Sequence, residues 1–156
     1  MFNRKKSITI KVKRLTESAK LPTKAHSTDA CFDLYVDAPD NIETGIKIRP
    51  GETVKLNSGI TTEIPHGYFA AIFPRSGLGI NKNLRLPNCT GIIDSDYRGE
   101  WIIALTNDGK VNRTIYHGDR VAQFAILPVP DVNIKEVKEL NDTERGSGGL
   151  GSTGNR

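Results

Sequence analysis

Short runs rich in β-branched and aromatic residues, separated by turn-forming residues, occupy most of this chain. They are "ITIKVKR", "FDLYV", "TVKL", "GITTEI", "YFAAIF", "WIIALTN", "RTIY", "VAQFAILPV" and "VNIKEVK". In the first run, Ile8, Ile10 and Val12 alternate with polar residues, which is the period of a strand with one buried face. "NDGK" between two runs predicts a tight hairpin, and only residues 76 to 82 suggest a turn of helix. The pattern predicts an all-β sandwich, jelly roll or barrel.

Composition narrows the class of protein. A chain of 156 residues with 37% hydrophobic residues is enough for one domain, and no apolar run approaches a membrane span. The net charge of +4 suits an anionic ligand, and no RNA-binding aromatic motif accompanies it, which argues against nucleic-acid binding. The charged, alternating start predicts no signal peptide. Cys31 and Cys89 lack metal-ligand spacing, which indicates a reduced, cytoplasmic protein.

The end of the chain differs from the rest. "RGSGGLGSTGNR", residues 145 to 156, is too rich in glycine to bury a core, so residues 141–156 are predicted to form a flexible arm after a barrel domain of residues 1–140. Composition alone leaves two interpretations open, a solvated tail or a flap that closes over a phosphate ligand. The flap would use glycine amides, the Arg145 guanidinium and the hydroxyls of Ser152 and Thr153.

The segment "GIIDSDYRGEW", residues 91 to 101, also allows both a functional and a structural interpretation. Asp94 could orient a water and accept its proton, or it could cap a turn beside a glycine. Tyr97 could pack against a ligand or against a neighbouring strand.

Five segments, taken together and in order, carry a family resemblance. The chain resembles the trimeric dUTPases (deoxyuridine triphosphate nucleotidohydrolases) in "AHSTDACFDLYV", "PRSGLG", "GIIDSDYRGEW", "GDRVAQF" and "RGSGGLGSTG". The resemblance implies a jelly-roll type β-barrel and a homotrimer whose active sites lie between subunits, with the arm of one chain closing over a site built by others. It also implies hydrolysis of dUTP to dUMP and pyrophosphate, with Mg²⁺ bridging the triphosphate.

The resemblance also assigns roles to residues. Asp94 is the implied catalytic carboxylate, Tyr97 the ring against the deoxyribose that excludes UTP, and Asp33 the carboxylate that reaches Mg²⁺ through a water. The implied phosphate contacts are Arg75, Ser76, Gly77 and Gln123, joined by Arg145, Ser152 and Thr153 of the arm. The implied uracil contacts are Asn88, Ile92, Ile93, Ile102 and Leu150. Asp96 and Arg98 are expected to form structural ion pairs, within one chain or between subunits, rather than to take part in chemistry.

Two departures and two alternatives complete the expectations. Cys31 stands where the family usually has glycine, and would be strained if that backbone needs a positive φ. Leu150 stands where the family usually has a phenylalanine that stacks on uracil. The alternatives are dCTP deaminase, a sister family with a similar barrel, and a nucleotide-binding trimer that regulates a partner protein.

Overall fold

The computed structural model describes residues 7–149, which form eleven strands and one α-helix. The strands are β1 Lys11–Arg14, β2 Phe32–Tyr35, β3 Ile46–Ile48, β4 Thr53–Asn57, β5 Ile60–Glu63, β6 Tyr68–Pro74, β7 Leu84–Arg85, β8 Gly91–Ile93, β9 Ile102–Asn107, β10 Arg113–Ile115 and β11 Arg120–Pro128. The helix, α1, spans Ser76–Lys82, and a single 3₁₀ turn spans Pro39–Asn41. The all-β prediction and the short helix at residues 76 to 82 are confirmed.

The strands pair mostly with partners that are distant in the sequence. They form a four-stranded sheet in the order β2-β11-β6-β8, a three-stranded sheet β4-β9-β7, and the two pairs β1-β5 and β3-β10. All the ladders are antiparallel. The core between them centres on Trp101, whose ring meets the Phe124 ring edge-on at a centroid distance of 5.0 Å. Such burial of large apolar side chains is the main stabilising term of the fold.

The first predicted strand is shorter than its alternation suggests. β1 begins at Lys11, and Ile8 is exposed to 42%, whereas Ile10 and Val12 pack against the core. Strand pairing sets this limit, because β5 ends at Glu63, the partner of Lys11. The predicted burial of one face of this strand is therefore confirmed for Ile10 and Val12 but not for Ile8.

The predicted hairpin at "NDGK" is wrong. β9 pairs with β4 and β7, whereas β10 pairs with β3, so the loop between them passes from one sheet to another. The side chain of Asn107, which is fully buried, organises this passage. Its amide nitrogen donates to the carbonyls of Ile48 and Val111, and its oxygen accepts from the Gly109 amide. Turn residues therefore signalled a change of direction here, but not which strands would pair.

The predicted strand "VNIKEVK" is also absent. Residues 132 to 138 belong to no strand, and Val132, Ile134 and Val137 are exposed to 68%, 92% and 49%. A strand exists only where a second backbone satisfies its N–H and C=O groups, and residues 7–149 offer this segment no such partner. Apolar and polar residues do alternate in this segment, but residues 7–149 of one chain do not bury its apolar side chains.

Candidate functional site

The register of the four-stranded sheet brings several predicted phosphate contacts together. Gln123 on β11 lies opposite Asp33 on β2, and the residue before it lies opposite Pro74, the last residue of β6. The Gln123 side-chain amide donates to the Pro74 carbonyl at 3.0 Å. Arg75 and Ser76 follow directly, at the start of α1. Residues from three distant segments thus meet at one edge of the sheet.

Asp33 is the centre of an ion network at this edge. Its side chain is largely buried, and its two oxygens lie 2.9 Å from Arg75 Nε and 3.1 Å from Arg120 Nη1. Arg75 also donates from Nη1 to the Arg120 carbonyl at 3.3 Å. Two guanidinium groups on one carboxylate leave the cluster with one net positive charge. Their remaining N–H groups are the donors that phosphate oxygens prefer.

Arg120 is the site residue that sequence reasoning missed. It is three positions from Gln123, and in a regular strand an odd spacing places two side chains on opposite faces. The β11–β2 pairing is irregular between Arg120 and Ala122, where one residue of β11 is left without a partner. A β-bulge of this kind turns the following or preceding side chain to the other face. Because of this extra residue, Arg120 and Gln123 lie on the same face of β11. Arg120 therefore reaches Asp33, the residue opposite Gln123.

These residues line a cleft of about 460 Å³ together with the segment before β2. Its lining residues are Ala25, Asp29, Ala30, Cys31, Asp33, Arg75, Ser76, Gly77, Arg120 and Gln123. Burial raises the pKa of the Cys31 thiol. The positive charge of Lys24 lowers this pKa, whereas the negative charge of Asp33 raises it. The thiol therefore stays neutral at pH 7 and adds no negative charge to those of Asp29 and Asp33, which equal the two arginines of the cleft in number.

The backbone at Cys31 does not require glycine. Among residues 7–149, the non-glycine residues with positive φ are Asn83 and Cys89. Cys31 is therefore accommodated without the strain that a positive φ would impose. Of the two cysteines, it is Cys89, at φ 60°, that adopts the left-handed conformation, in the turn before β8.

A second cavity, of about 230 Å³, contains the other group of predicted site residues. It is lined by Ile92, Ile93, Asp94, Tyr97, Glu100 and Ile102, at the turn between β8 and β9. Tyr97 closes one end of this turn, since its amide donates to the Asp94 carbonyl at 3.2 Å. The Asp94 side chain is exposed, and it also borders a larger cavity of about 740 Å³ beside His66 and Val129. A carboxylate here has access to water and open space on two sides.

Not every predicted residue reaches these cavities. Asn88 is exposed and is not among the residues that line the second cavity. Arg98 donates to the carbonyls of Ser95 and Tyr97. Within residues 7–149, neither Arg98 nor Asp96 forms an ion pair. Arg145 is exposed and donates to the Gly148 carbonyl. Leu150, Ser152 and Thr153 lie outside the described residues.

The two cavities have no lining residue in common and are far apart in one chain. Asp94 follows the β8–β6 ladder, in which Ile93 pairs with Ala70, so Asp94 lies beside Phe69. Arg75 is six positions further along the chain (75 − 69), at the other end of β6. At about 3.3 Å per residue this separates Asp94 from Arg75 by about 20 Å.

No three metal-ligating side chains converge within the part of the chain that the structure describes. The protein therefore supplies few direct metal ligands in this region. A single carboxylate such as Asp33 fits Mg²⁺, which takes few protein ligands and keeps several waters and phosphate oxygens. Asp33 Oδ2 accepts from Arg120, Oδ1 lies 2.9 Å from Arg75 Nε, and a carboxylate has about four lone-pair directions. Asp33 therefore retains capacity to accept from a metal-bound water. Within residues 7–149, no helix is long and apolar enough to span a membrane.

The chain is similar to proteins of one family over nearly its whole length. Residues 17–154 match the family model for dUTPase. The deoxyuridine 5'-triphosphate nucleotidohydrolase of Clostridioides difficile is 44% identical over 145 residues, covering 93% of this chain and 97% of that protein. The enzyme of the same description from Alkaliphilus metalliredigens is 43% identical over 154 residues, covering 99% of each.

Solved structures agree with this assignment. The dUTPase of Staphylococcus bacteriophage 80alpha with dUpNHpp has a TM-score of 0.83 at 27% identity, covering 94% of this chain and 98% of that chain. A mutant dUTPase from phage phi11 of S. aureus, described as coordinating a structural Mg(II) ion, has a TM-score of 0.74 at 25% identity, covering 84% and 97%. This similarity confirms the jelly-roll type of the all-β fold. By its sequence over residues 17–154 and by its fold, the chain belongs to the dUTPase family.

Proposed function

We propose that this chain hydrolyses dUTP to dUMP and pyrophosphate, with Mg²⁺ as the cofactor. The observation that carries the proposal is the division of the family's motif residues into two sites of different chemistry. One is the cleft that contains the cluster of Asp33, Arg75 and Arg120, whose net positive charge suits a triphosphate. The other is a cavity beside Asp94 and Tyr97 that combines isoleucine side chains with carboxylates, which suits a pyrimidine nucleoside. The dCTP deaminase alternative is not favoured, because the family model and the curated relatives are dUTPases.

The cleft around Asp33 would bind the phosphates. Arg75 and Arg120 offer guanidinium donors, and the first amides of α1 have no acceptor inside the helix. A Cβ at Gly77 would meet open space, so packing within the chain does not demand glycine there. Close approach of a phosphate to the Gly77 backbone is a reason for glycine at this position. Bound Mg²⁺ would neutralise charge on the triphosphate oxygens, and Asp33 would hold one of its waters.

The second cavity would bind the nucleoside and position the reaction. Ile92, Ile93 and Ile102 offer apolar walls and nearby backbone groups to the uracil, and Tyr97 would pack against the deoxyribose. Asp94 would accept a hydrogen bond from the attacking water and take its proton as the oxygen adds to the α-phosphorus. In-line attack breaks the bond between the α-phosphorus and the bridging oxygen, and pyrophosphate leaves.

We further propose that one active site uses more than one copy of the chain, in a homotrimer. The α-phosphate is bonded directly to the deoxyribose, so the groups that bind them must lie side by side. In one chain the backbones of Asp94 and Arg75 are about 20 Å apart along β6, and the two cavities that these residues line have no residue in common. A second copy that presents its cleft around Asp33 to the Asp94 cavity removes this difficulty, and residues 141–156 of a further copy would close over both.

The exposed segment that follows β11 supports this assembly. Val132, Ile134 and Val137 expose apolar side chains, and the segment has no strand partner among residues 7–149. Pairing with a strand edge of another copy would satisfy its backbone and cover these side chains. The two unpaired thiols, Cys31 and Cys89, support a cytoplasmic location for the assembly.

Ile134→Asp is expected to weaken the trimer. Ile134 is 92% exposed in the single chain, so the substitution should leave the folded subunit intact. Losing one buried isoleucine and adding a charge at each contact should raise the dissociation constant by about tenfold or more. Sedimentation velocity over a concentration series measures this. Asn133→Asp introduces the same side chain one position away, on the opposite face of an added strand, and should have little effect. Equal behaviour of the two variants would contradict pairing through this segment.

Arg120→Gln is expected to raise KM for dUTP by about tenfold, the order of one charge-assisted hydrogen bond, with less effect on kcat. The variant leaves Asp33 with one arginine and removes the net positive charge of the cluster that Asp33 forms with Arg75 and Arg120. Affinity for dUMP should hardly change, because dUMP lacks the β- and γ-phosphates. Arg49→Gln removes the same charge from an exposed turn and is the control. A parallel loss of dUMP affinity would assign Arg120 to folding instead.

The activity itself is tested by incubating the protein with Mg²⁺ and each of dUTP, dCTP, dTTP, dATP, dGTP and UTP. We expect pyrophosphate from dUTP, with at most slow release from the others. Release of ammonia from dCTP would identify a deaminase. Absence of any turnover, with nucleotide still bound in calorimetry, would favour the regulatory trimer.

A further inference from the structure

The ring of Tyr97 is folded back over the turn that follows it. Its hydroxyl donates to the Glu100 carbonyl at 3.0 Å, while its amide donates to the Asp94 carbonyl. The ring therefore passes across Gly99 on its way to Glu100. It lines the second cavity from this position, and the residue is 43% exposed.

Gly99 lies against this ring with no space for a side chain. A Cβ on Gly99 would lie 2.5 Å from Tyr97 Cζ and 2.9 Å from Cε2, and closer still to the hydroxyl oxygen. Carbon atoms in proteins essentially never approach so closely. The backbone does not itself require glycine, because Gly99 is not among the residues with positive φ. The reason for glycine at this position is the Tyr97 ring.

The backbone on both sides of Gly99 is attached to the β5 region and is not free to move away. The Thr61 hydroxyl donates to the Arg98 carbonyl at 2.9 Å, and the Gly59 amide donates to the Glu100 carboxylate at 2.8 Å. The amide of Trp101, which is fully buried, donates to a β5 carbonyl at 3.0 Å. A side chain at Gly99 would therefore displace the half-exposed ring rather than the backbone.

We propose that Gly99 and the Glu100 carbonyl are positioning residues that set the Tyr97 ring for selection of deoxyribose over ribose. This inference rests on the proposed function, in which the ring packs against the sugar. A ring held at one height above Gly99 leaves no room for a 2′-hydroxyl. A ring that is free to swing away admits it. Selection of the sugar thus depends on the absence of a methyl group two residues from the ring that makes contact.

The variants Gly99→Ala, Tyr97→Ala and the double variant test this. For each, kcat/KM is measured for dUTP and UTP, and affinity for dUMP and UMP is measured by calorimetry, which needs no turnover. We expect Gly99→Ala to raise the UTP-to-dUTP ratio of kcat/KM by about tenfold, the effect of one ill-fitting group in a pocket. Tyr97→Ala should raise the ratio at least as much. In the Tyr97→Ala background, Gly99→Ala should change it by less than about twofold, because the ring is already gone.

Gly79→Ala is the matched control, since a Cβ there makes only an ordinary contact of 3.9 Å with the Leu84 carbonyl. It should leave unchanged both the UTP-to-dUTP ratio of kcat/KM and the ratio of affinities for UMP and dUMP. Tyr97→Phe removes the bond to Glu100 and should relax selection in part. A parental ratio in Gly99→Ala, or effects that add in the double variant, would overturn the proposal.

Two further outcomes also decide the matter. If Gly99→Ala fails to fold, Tyr97→Ala in the same chain should restore folding, and failure to do so would place the conflict elsewhere and overturn the inference. A parent protein that releases no pyrophosphate from dUTP would contradict the proposed function. That result would be evident from the parent alone and thus separate from any effect at Gly99.

Discussion

Asp94→Asn is expected to lower kcat for dUTP by at least ~10²-fold, the usual range for loss of a positioned general base. The amide keeps the shape of the side chain and one acceptor oxygen, but it does not take the proton of the attacking water. The turn should persist, since it is the Asp94 carbonyl and not its side chain that accepts from the Tyr97 amide. Affinity for a non-hydrolysable dUTP analogue should therefore stay within a few-fold of the parent.

Pyrophosphate release and calorimetry with the analogue measure the two quantities separately. Asp96→Asn is the matched control, because it neutralises another exposed carboxylate in the same turn. It should leave kcat nearly unchanged. If Asp94→Asn retained normal turnover, or if both variants lost activity equally, Asp94 would not be the base.

Truncation after Asn141 is expected to cause a similarly strong loss of turnover with almost no loss of stability. Residues 142 to 147, including Arg145, are exposed and contribute nothing to the core. The melting temperature without ligand should therefore hardly change. The loss of turnover would follow from the missing arginine, glycine amides and hydroxyls, which in the proposed function neutralise the triphosphate and exclude water.

A chain that ends after Gly154 is the matched control, because it removes only Asn155 and Arg156 and keeps the family segment. It should behave as the parent. Differential scanning calorimetry and steady-state kinetics on both truncations make the comparison. A shorter chain with parental kcat and parental affinity for the analogue would show that residues 142–156 do not cover the site. A large drop in melting temperature would assign them to the fold instead.

Local pattern was sufficient for most of the strands. The runs that became β2, β4, β5, β6, β9 and β11 combine β-branched and aromatic residues with flanking breakers, and each forms a strand near its predicted bounds. The short strands β3, β7 and β8 have two or three residues, too few for an alternation to be read. "NDGK" and "VNIKEVK" have sound local patterns, but pairing is a property of two segments, and neither segment contains its partner.

The candidate site divides in the same way. The resemblance to the dUTPases singled out Asp33, Arg75, Asp94, Tyr97 and Gln123, because the motifs that carry it are contiguous in the sequence. Arg120 escaped because a bulge in β11 changes the face on which its side chain lies, and period-two reasoning does not detect an inserted residue. Asn88 was chosen by its motif, but the folded turn leaves it outside the cavity beside Asp94.

By itself the sequence determined the fold class, the family and the chemical types at the site, since alternation, turn residues and contiguous motifs are short-range properties. Tertiary structure alone decided how these pieces combine. It joined Asp33 to one arginine of β11 and another at the start of α1, pressed the Tyr97 ring against Gly99, and separated Asp94 from Arg75 by the length of β6. The physical reason is that strand register and long-range hydrogen bonds set distances between residues far apart in the chain, and no local pattern encodes those distances.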